Sequence, residues 1–112
     1  MNAIQQSTIA TLHGRLAELQ KARRNYEGVL LGAGYLVRVG MVHLKFTITS
    51  ERLVTDPVRC KVESADLFTK EDAETIAADH VNGHGEVGKA IHVKDAIEDE
   101  IAIVEQLLAT LN

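Results

Sequence analysis

The stretch YLVRVGMVHLKFTI, residues 35–48, decides the fold. Apolar residues occupy the odd positions before Gly40 and the even positions after Met41. Alternation with a period of two is typical of β-strands, and a one-residue slip turns every following side chain to the other face of the sheet. The change of phase therefore predicts either a bulge or bend at Gly40, or two strands that meet at a tight turn. We favour the bulge.

Alternation also predicts strands further along the chain. Val58, Cys60 and Val62 alternate with charged residues after a loop over residues 50–57, and a fourth strand is expected over residues 87–93. These segments predict an antiparallel sheet of three or four strands. If the apolar residues of every strand face the core, the opposite face of the sheet is basic. That face carries His43, Lys45, Arg59 and Lys61.

Long amphipathic helices are predicted at both ends of the chain. Apolar residues recur at steps of three and four over about residues 3–31, interrupted by Arg23, and again after Asp95. Ser7 or Thr8 is placed to cap the first helix, and Asp95 the last. The two apolar seams contain Leu12, Leu16, Leu19, Ile97, Ile101, Val104 and Leu108. Such seams pack against each other within one chain or between two chains.

A short helix is predicted between the third and fourth strands. Thr69 has the position of an N-cap and Asp72 that of its capping-box partner, and the helix should run to about Val81. Asn82 and Gly83 then supply residues that close a helix. The element order is α-β-β-β-α-β-α, which predicts an α+β fold. We expect a single domain over residues 1–112.

Composition limits the classes of function. The 112 residues are 46% hydrophobic and 25% charged, which is typical of one globular domain. With two Phe, two Tyr and no Trp, the chain has few platforms for stacking nucleic-acid bases, so nucleic-acid binding is not favoured. The single cysteine indicates a reducing compartment. No segment has the pattern of a membrane span or a signal peptide, so we expect a cytoplasmic protein without membrane association.

Charge is distributed unevenly along the chain. Residues 1–62 contain nine Lys/Arg against four Asp/Glu, whereas residues 63–112 contain three against twelve. This asymmetry can pair the two halves of one chain, pair neighbouring subunits, or present a basic and an acidic face to different partners. The cations expected at a partner interface are Arg15, Arg23, Arg24, His43, Lys45, Arg59 and Lys61.

One glycine-rich loop has the spacing of nucleotide-binding motifs. The string GHGEVGKA, residues 83–90, satisfies both GxGxxG and GxxxxGK. Its context fits neither motif, because a helix precedes it, a strand follows it, and no Ser or Thr follows Lys89. We expect a tight turn, with ligand or partner contact as the alternatives. The residues concerned are Asn82, Gly83, His84, Gly85 and Lys89.

No arrangement of residues predicts catalysis, a metal or a cofactor. The histidines at 80, 84 and 92 match no closed zinc-site spacing. Cys60 and His43 could form a thiol–imidazole pair only on one face of the sheet, and alternation places them on opposite faces.

We therefore expect a non-catalytic interaction protein that forms a homodimer or a higher homo-oligomer, and that binds and blocks or assembles a macromolecular partner, most simply another protein. Inhibitor or accessory proteins of phages and mobile elements are of this type. The alternative is a binding protein, or sponge, for a small anionic, nucleotide-like ligand held by the basic sheet face and the loop over residues 82–89.

Overall fold

The structure is a computed structural model, and it describes residues 2–29, 32–48 and 54–111. Within these residues it has three α-helices and one four-stranded antiparallel sheet, which confirms the predicted α+β fold and its element order. The elements are α1 (Ala3–Asn25), β1 (Tyr35–Val39), β2 (Val42–Ile48), β3 (Val54–Cys60), a short 3-10 turn (Val62–Ser64), α2 (Lys70–Ala78), β4 (Lys89–His92) and α3 (Val93–Leu111).

The chain divides into two compact units. Met1–Gly28 and Lys94–Asn112 form a helical unit, which contains α1 and nearly all of α3. Val29–Val93 form a sheet unit, which contains all four strands and α2. In the described part of the chain, no helix has both the length and the apolar character that crossing a membrane requires.

β1 and β2 form a hairpin with a two-residue turn, so the predicted bulge at Gly40 is wrong. Val39 pairs directly with Val42, and Gly40 adopts a φ of +60°. Residues directly opposite each other in an antiparallel pair share a face of the sheet. An odd-numbered residue therefore stands beside an even-numbered one, and the change of phase keeps the apolar residues of both strands on one side.

The sheet has the strand order β3-β2-β1-β4, with β1 and β2 in its interior. α2 packs over β1 and β4. The core between α2 and the sheet consists of Val37, Val39, Leu44, Phe46, Ala73 and Ala77. On β1, Leu36 and Val37 are both fully buried although they point to opposite faces, so simple alternation does not describe this strand.

β3 begins earlier than predicted and includes Pro57, which the sequence placed in a loop. Residues 54–57 of that expected loop are strand, and residues 50–53 lie outside the described residues. Proline is tolerated because β3 is an edge strand and its pairing with β2 is irregular between Lys45 and Thr47. At this irregularity the Phe46 amide donates to the Asp66 carboxylate, at 2.7 Å.

The ends of α1 differ from the prediction. Asn2, not Ser7 or Thr8, caps this helix, since its Oδ1 accepts from the Gln5 amide at 2.7 Å. α1 ends at Asn25, several residues before the predicted end.

The other helix boundaries are predicted in part. The Thr69 cap of α2 is confirmed, with its hydroxyl accepting from the Asp72 amide at 3.2 Å, but α2 ends at Ala78. α3 begins directly after β4, at Val93, two residues before the predicted cap Asp95. β4 is shorter than predicted, and Val87 lies before it in an isolated bridge with Val81.

Gly88 provides a test of the packing between α2 and the segment that enters β4. A Cβ at this position would lie 2.5 Å from the Ala77 carbonyl oxygen, so Gly88→Ala must displace the backbone of α2. We expect a loss of about 2–3 kcal/mol in the free energy of unfolding, measured by urea denaturation. At Gly83 an added Cβ meets nothing within 4 Å, so the control Gly83→Ala should cost less than about 0.5 kcal/mol. Equal losses would contradict this packing.

Candidate functional site

Two cations of the predicted partner surface instead join the terminal helices to each other. The Arg15 guanidinium lies 3.0 Å from Glu100 Oε1, and that of Arg23 lies 3.2 Å from Glu98 Oε1. Early residues of α1 pair with late residues of α3, as the hydrogen bond from Gln5 to the Leu111 carbonyl also shows, so the helices are antiparallel. Within the helical unit, cations from the basic first half of the chain therefore pair with carboxylates from its acidic second half.

Most residues of the predicted oligomer seams are buried in the single chain. Arg23 does not interrupt a core, because its side chain is 46% exposed beside Glu98. Its presence therefore gives no reason to place the seam between two chains. Five seam residues are buried, namely Leu19, Ile97, Ile101, Val104 and Leu108, and two are half-buried, namely Leu12 and Leu16.

The remaining predicted cations differ in burial and in pairing. The Lys45 ammonium lies 3.3 Å from the Asp66 carboxylate, and His43 is buried, at 7% exposed. Arg24, Arg59 and Lys61 are exposed.

The predicted basic face of the sheet is wrong because the register of β3 differs from the one assumed. Lys45 stands opposite Val58, whereas Arg59 stands opposite Leu44. Arg59 therefore shares the face that carries the α2 core, and Lys45 shares the other face with Val58. Val58 is 62% exposed, so the apolar residues of this edge strand do not mark the core side.

Cys60 and His43 are direct register partners, so the expectation that they lie on opposite faces is also wrong. The Cys60 thiol lies 3.6 Å from the His43 carbonyl oxygen, which accepts from it. Burial raises the pKa of the Cys60 thiol above its usual value. Lys45 lowers the pKa, and Asp66 and Glu63 raise it. A thiol that resists ionisation is a poor nucleophile.

The loop over residues 82–89 is organised by Asn82. Its side-chain oxygen accepts from the amides of His84 and Glu86, at 2.9 and 3.0 Å, and its Nδ2 donates to the Glu86 carboxylate at 3.0 Å. The Gly85 amide donates to the Asn82 carbonyl oxygen at 3.1 Å. Three amides that could cradle a phosphate are therefore engaged inside the loop, and a carboxylate lies beside them.

An open apolar groove lies beside this loop, where α2 ends. Its volume is about 340 Å³. Because α2 covers β1 and β4 and stops at Ala78, the neighbouring part of the same sheet face forms the floor of the groove. The His80 ring is fixed at the edge, since its Nδ1 donates to the Ile76 carbonyl oxygen at 2.9 Å and the ring packs edge-on to Phe46. The apolar lining comprises Val39, Val42, Leu44, Pro57 and Val81.

Exposed apolar side chains lie on the loop and on the neighbouring β1–β2 turn. Val81 is 60% exposed, and Val87, its bridge partner, is 50% exposed. Met41, in the β1–β2 turn, is 63% exposed. This turn lies against the loop, because a Cβ at Gly40 would be 3.1 Å from the Glu86 carboxylate. The turn and the loop thus present three exposed apolar residues in one region of the sheet unit.

A smaller concavity, of about 260 Å³, lies on the other side of the turn. Arg38 and Lys89, which are register partners on β1 and β4, line it together with Gly40, Glu86 and Val87. It combines two cations with one carboxylate. In the described residues, no group of three or more His, Cys, Asp and Glu side chains is arranged to hold a metal ion.

Sequence reasoning identified Asn82 but not the rest of the groove. Val81 was assigned to the end of a helix and Pro57 to a loop, so neither was recognised as surface beside a sheet. Val81 continues the four-residue spacing of Ala73 and Ala77, so the sequence gives no signal that separates it from the helix. Comparison with protein-family models finds no family that matches the chain, and comparisons with curated proteins and with solved structures find no significant match.

The environment of Cys60 predicts slow alkylation. Because burial opposes the thiolate, the rate of reaction with iodoacetamide should rise with pH around a midpoint above that of free cysteine. Lys45→Ala should raise this midpoint further, since Lys45 lowers the pKa, while the control Lys89→Ala should leave it unchanged. A midpoint at or below that of free cysteine would contradict the burial of the thiol.

Proposed function

We propose that the chain is a non-catalytic interaction protein and that the groove beside α2 binds a partner protein. The observation that carries this proposal is the position of Val81, which is 60% exposed at the edge of an open apolar groove. Exposed apolar surface beside a groove is costly in water and is typical of interaction sites.

The surroundings of the groove resemble the anatomy of protein interfaces. Such interfaces have an apolar centre and a polar rim, and their strongest contacts are bulky side chains seated in pockets. Here the valines and Leu44 supply the centre, while Asp79 and Asn82 stand at the rim. A volume of about 340 Å³ accepts one or two bulky apolar side chains of a partner.

The partner is therefore expected to present apolar anchors on a short protruding segment. By occupying such a segment, the chain would block it or hold it for assembly, as inhibitor and accessory proteins of phages and mobile elements do. We place this activity in the cytoplasm, since the one cysteine is half-buried and serves no internal disulfide.

Two exposed valines make a matched test of the groove. Val81→Asp places a carboxylate at its edge and should weaken capture of the partner from a host extract by at least about tenfold. Val58 is equally exposed but lies outside the groove, on the sheet face that carries Lys45, so the control Val58→Asp should capture the partner like the parent chain. Quantitative mass spectrometry of tagged parent and variants gives the readout.

Both variants should retain the parent melting temperature, because each substituted side chain is mostly exposed. Equal loss of the partner in both variants, or undiminished capture by Val81→Asp, would contradict binding in the groove.

A second candidate function, binding of a small anion, is supported by the pairing of Arg38 with Lys89 in the smaller concavity. In this case a nucleotide such as ATP should raise the melting temperature, because a ligand that binds the folded state stabilises it. Lys89→Ala should abolish the rise and Lys70→Ala, at the exposed start of α2, should preserve it. An unchanged melting temperature at saturating nucleotide would remove this candidate.

A further inference from the structure

One end of the helical unit, formed by the start of α1 and the end of α3, is almost without charge. We call it the open end. Residues 2–14, in the first part of α1, contain no Asp, Glu, Lys or Arg, and neither do residues 106–111 at the end of α3. The charged residues of α1 begin at Arg15. In an antiparallel pair these two segments lie side by side, as the hydrogen bond of 3.0 Å from Gln5 to the Leu111 carbonyl requires.

The ion pair between Arg15 and Glu100 identifies one flank of this end. Ile4 lies three helical turns before Arg15, and Ile103 and Leu107 lie one and two turns after Glu100, so all three share the side of their helix that carries the ion pair. They are exposed by 80%, 39% and 46%. Beyond the ion pair, this flank is therefore apolar and open.

In α3 beyond Glu100, charge is confined to the opposite flank, and Asp99, one turn before Ile103, bounds the apolar flank. Glu105, the remaining carboxylate near the open end, lies two turns after Glu98 and so on the side of the Arg23–Glu98 ion pair. The two flanks of the same helical pair thus differ in chemical character.

The two threonine hydroxyls in this part of α1 already donate to their own helix. The Thr8 hydroxyl donates to the Ile4 carbonyl oxygen at 2.9 Å, and the Thr11 hydroxyl donates to the Ser7 carbonyl oxygen at 3.0 Å. A hydroxyl that donates to its own helix keeps this hydrogen bond when it is buried. Covering these threonines therefore costs little desolvation free energy.

Residues 3–18 of α1, more than four turns, contain no buried residue. Helices of this length depend on the packing of an apolar face, because helix propensity alone gives them only marginal stability in water. In a pair of helices, each helix packs along one seam and leaves the rest of its apolar surface uncovered. A four-helix arrangement covers that surface as well.

We infer that this apolar flank binds the same flank of a second copy, forming a four-helix arrangement. A two-fold contact places identical surfaces against each other, so any charge would meet its like, and a flank without charge meets this condition. Beyond the ion pair the flank comprises residues 3–14 of α1, about 18 Å of helix, and the helical pair is about 20 Å wide, so two copies cover roughly 700 Å², the range of weak interfaces. This interface lies in the helical unit and does not rest on the proposed groove.

Sedimentation equilibrium over micromolar to millimolar concentrations tests the inference with the full chain. The parent should reach twice the mass of one chain, and Ile103→Glu/Leu107→Glu should weaken the dimer by at least about 100-fold, because carboxylates would then face each other. Ala102 is exposed on the opposite flank, so the control Ala102→Glu should dimerise like the parent. A parent that stays monomeric, or a control that dissociates as readily, would overturn the inference.

Opposite charges provide a second measurement that separates lost contact from lost folding. An equimolar mixture of Ile103→Glu/Leu107→Glu with Ile103→Lys/Leu107→Lys should recover the dimer, because complementary flanks then meet. Far-ultraviolet circular dichroism should show parent-like helix in both variants. A mixture that remains monomeric would overturn the assignment of the interface to this flank.

Discussion

The pairing of β1 with β4 is the constraint on which the sheet unit depends. Four register pairs, from Tyr35 with His92 to Arg38 with Lys89, join segments separated by more than fifty residues. The Val93 amide extends this pairing by donating to the Gly34 carbonyl oxygen at 2.7 Å. Because β4 comes last in the sheet unit yet lies beside β1, the intervening α2 must cross the sheet face, and its early end creates the groove.

Local patterns predict the elements well because they follow from local physics. Thr69 caps α2 whatever surrounds it, since the bond to the Asp72 amide is closed within one turn. The seams of α1 and α3 follow from helical periodicity in the same way. At Gly40 the change of phase was visible, but alternation alone does not distinguish a bulge from a two-residue turn.

Long-range pairing could not be obtained from local patterns. The register of β3 decides which side of the sheet carries Arg59, and at an edge strand apolar residues are not forced towards a core, as exposed Val58 shows. The groove combines a strand that contains Pro57 with the segment after α2, which lie far apart in sequence. The uneven charge distribution was compatible with pairing between the two halves of the chain or between subunits, and only the geometry pairs Arg15 with Glu100.

The proposed binding of a partner protein in the groove involves the sheet unit and does not require the helical flank. Amide hydrogen exchange, measured by NMR with and without the captured partner, tests this most directly. The account predicts slower exchange confined to residues 39–44 and 79–87. Slowing that is confined instead to α1 and α3, or to the strand segment around Val58, would contradict it.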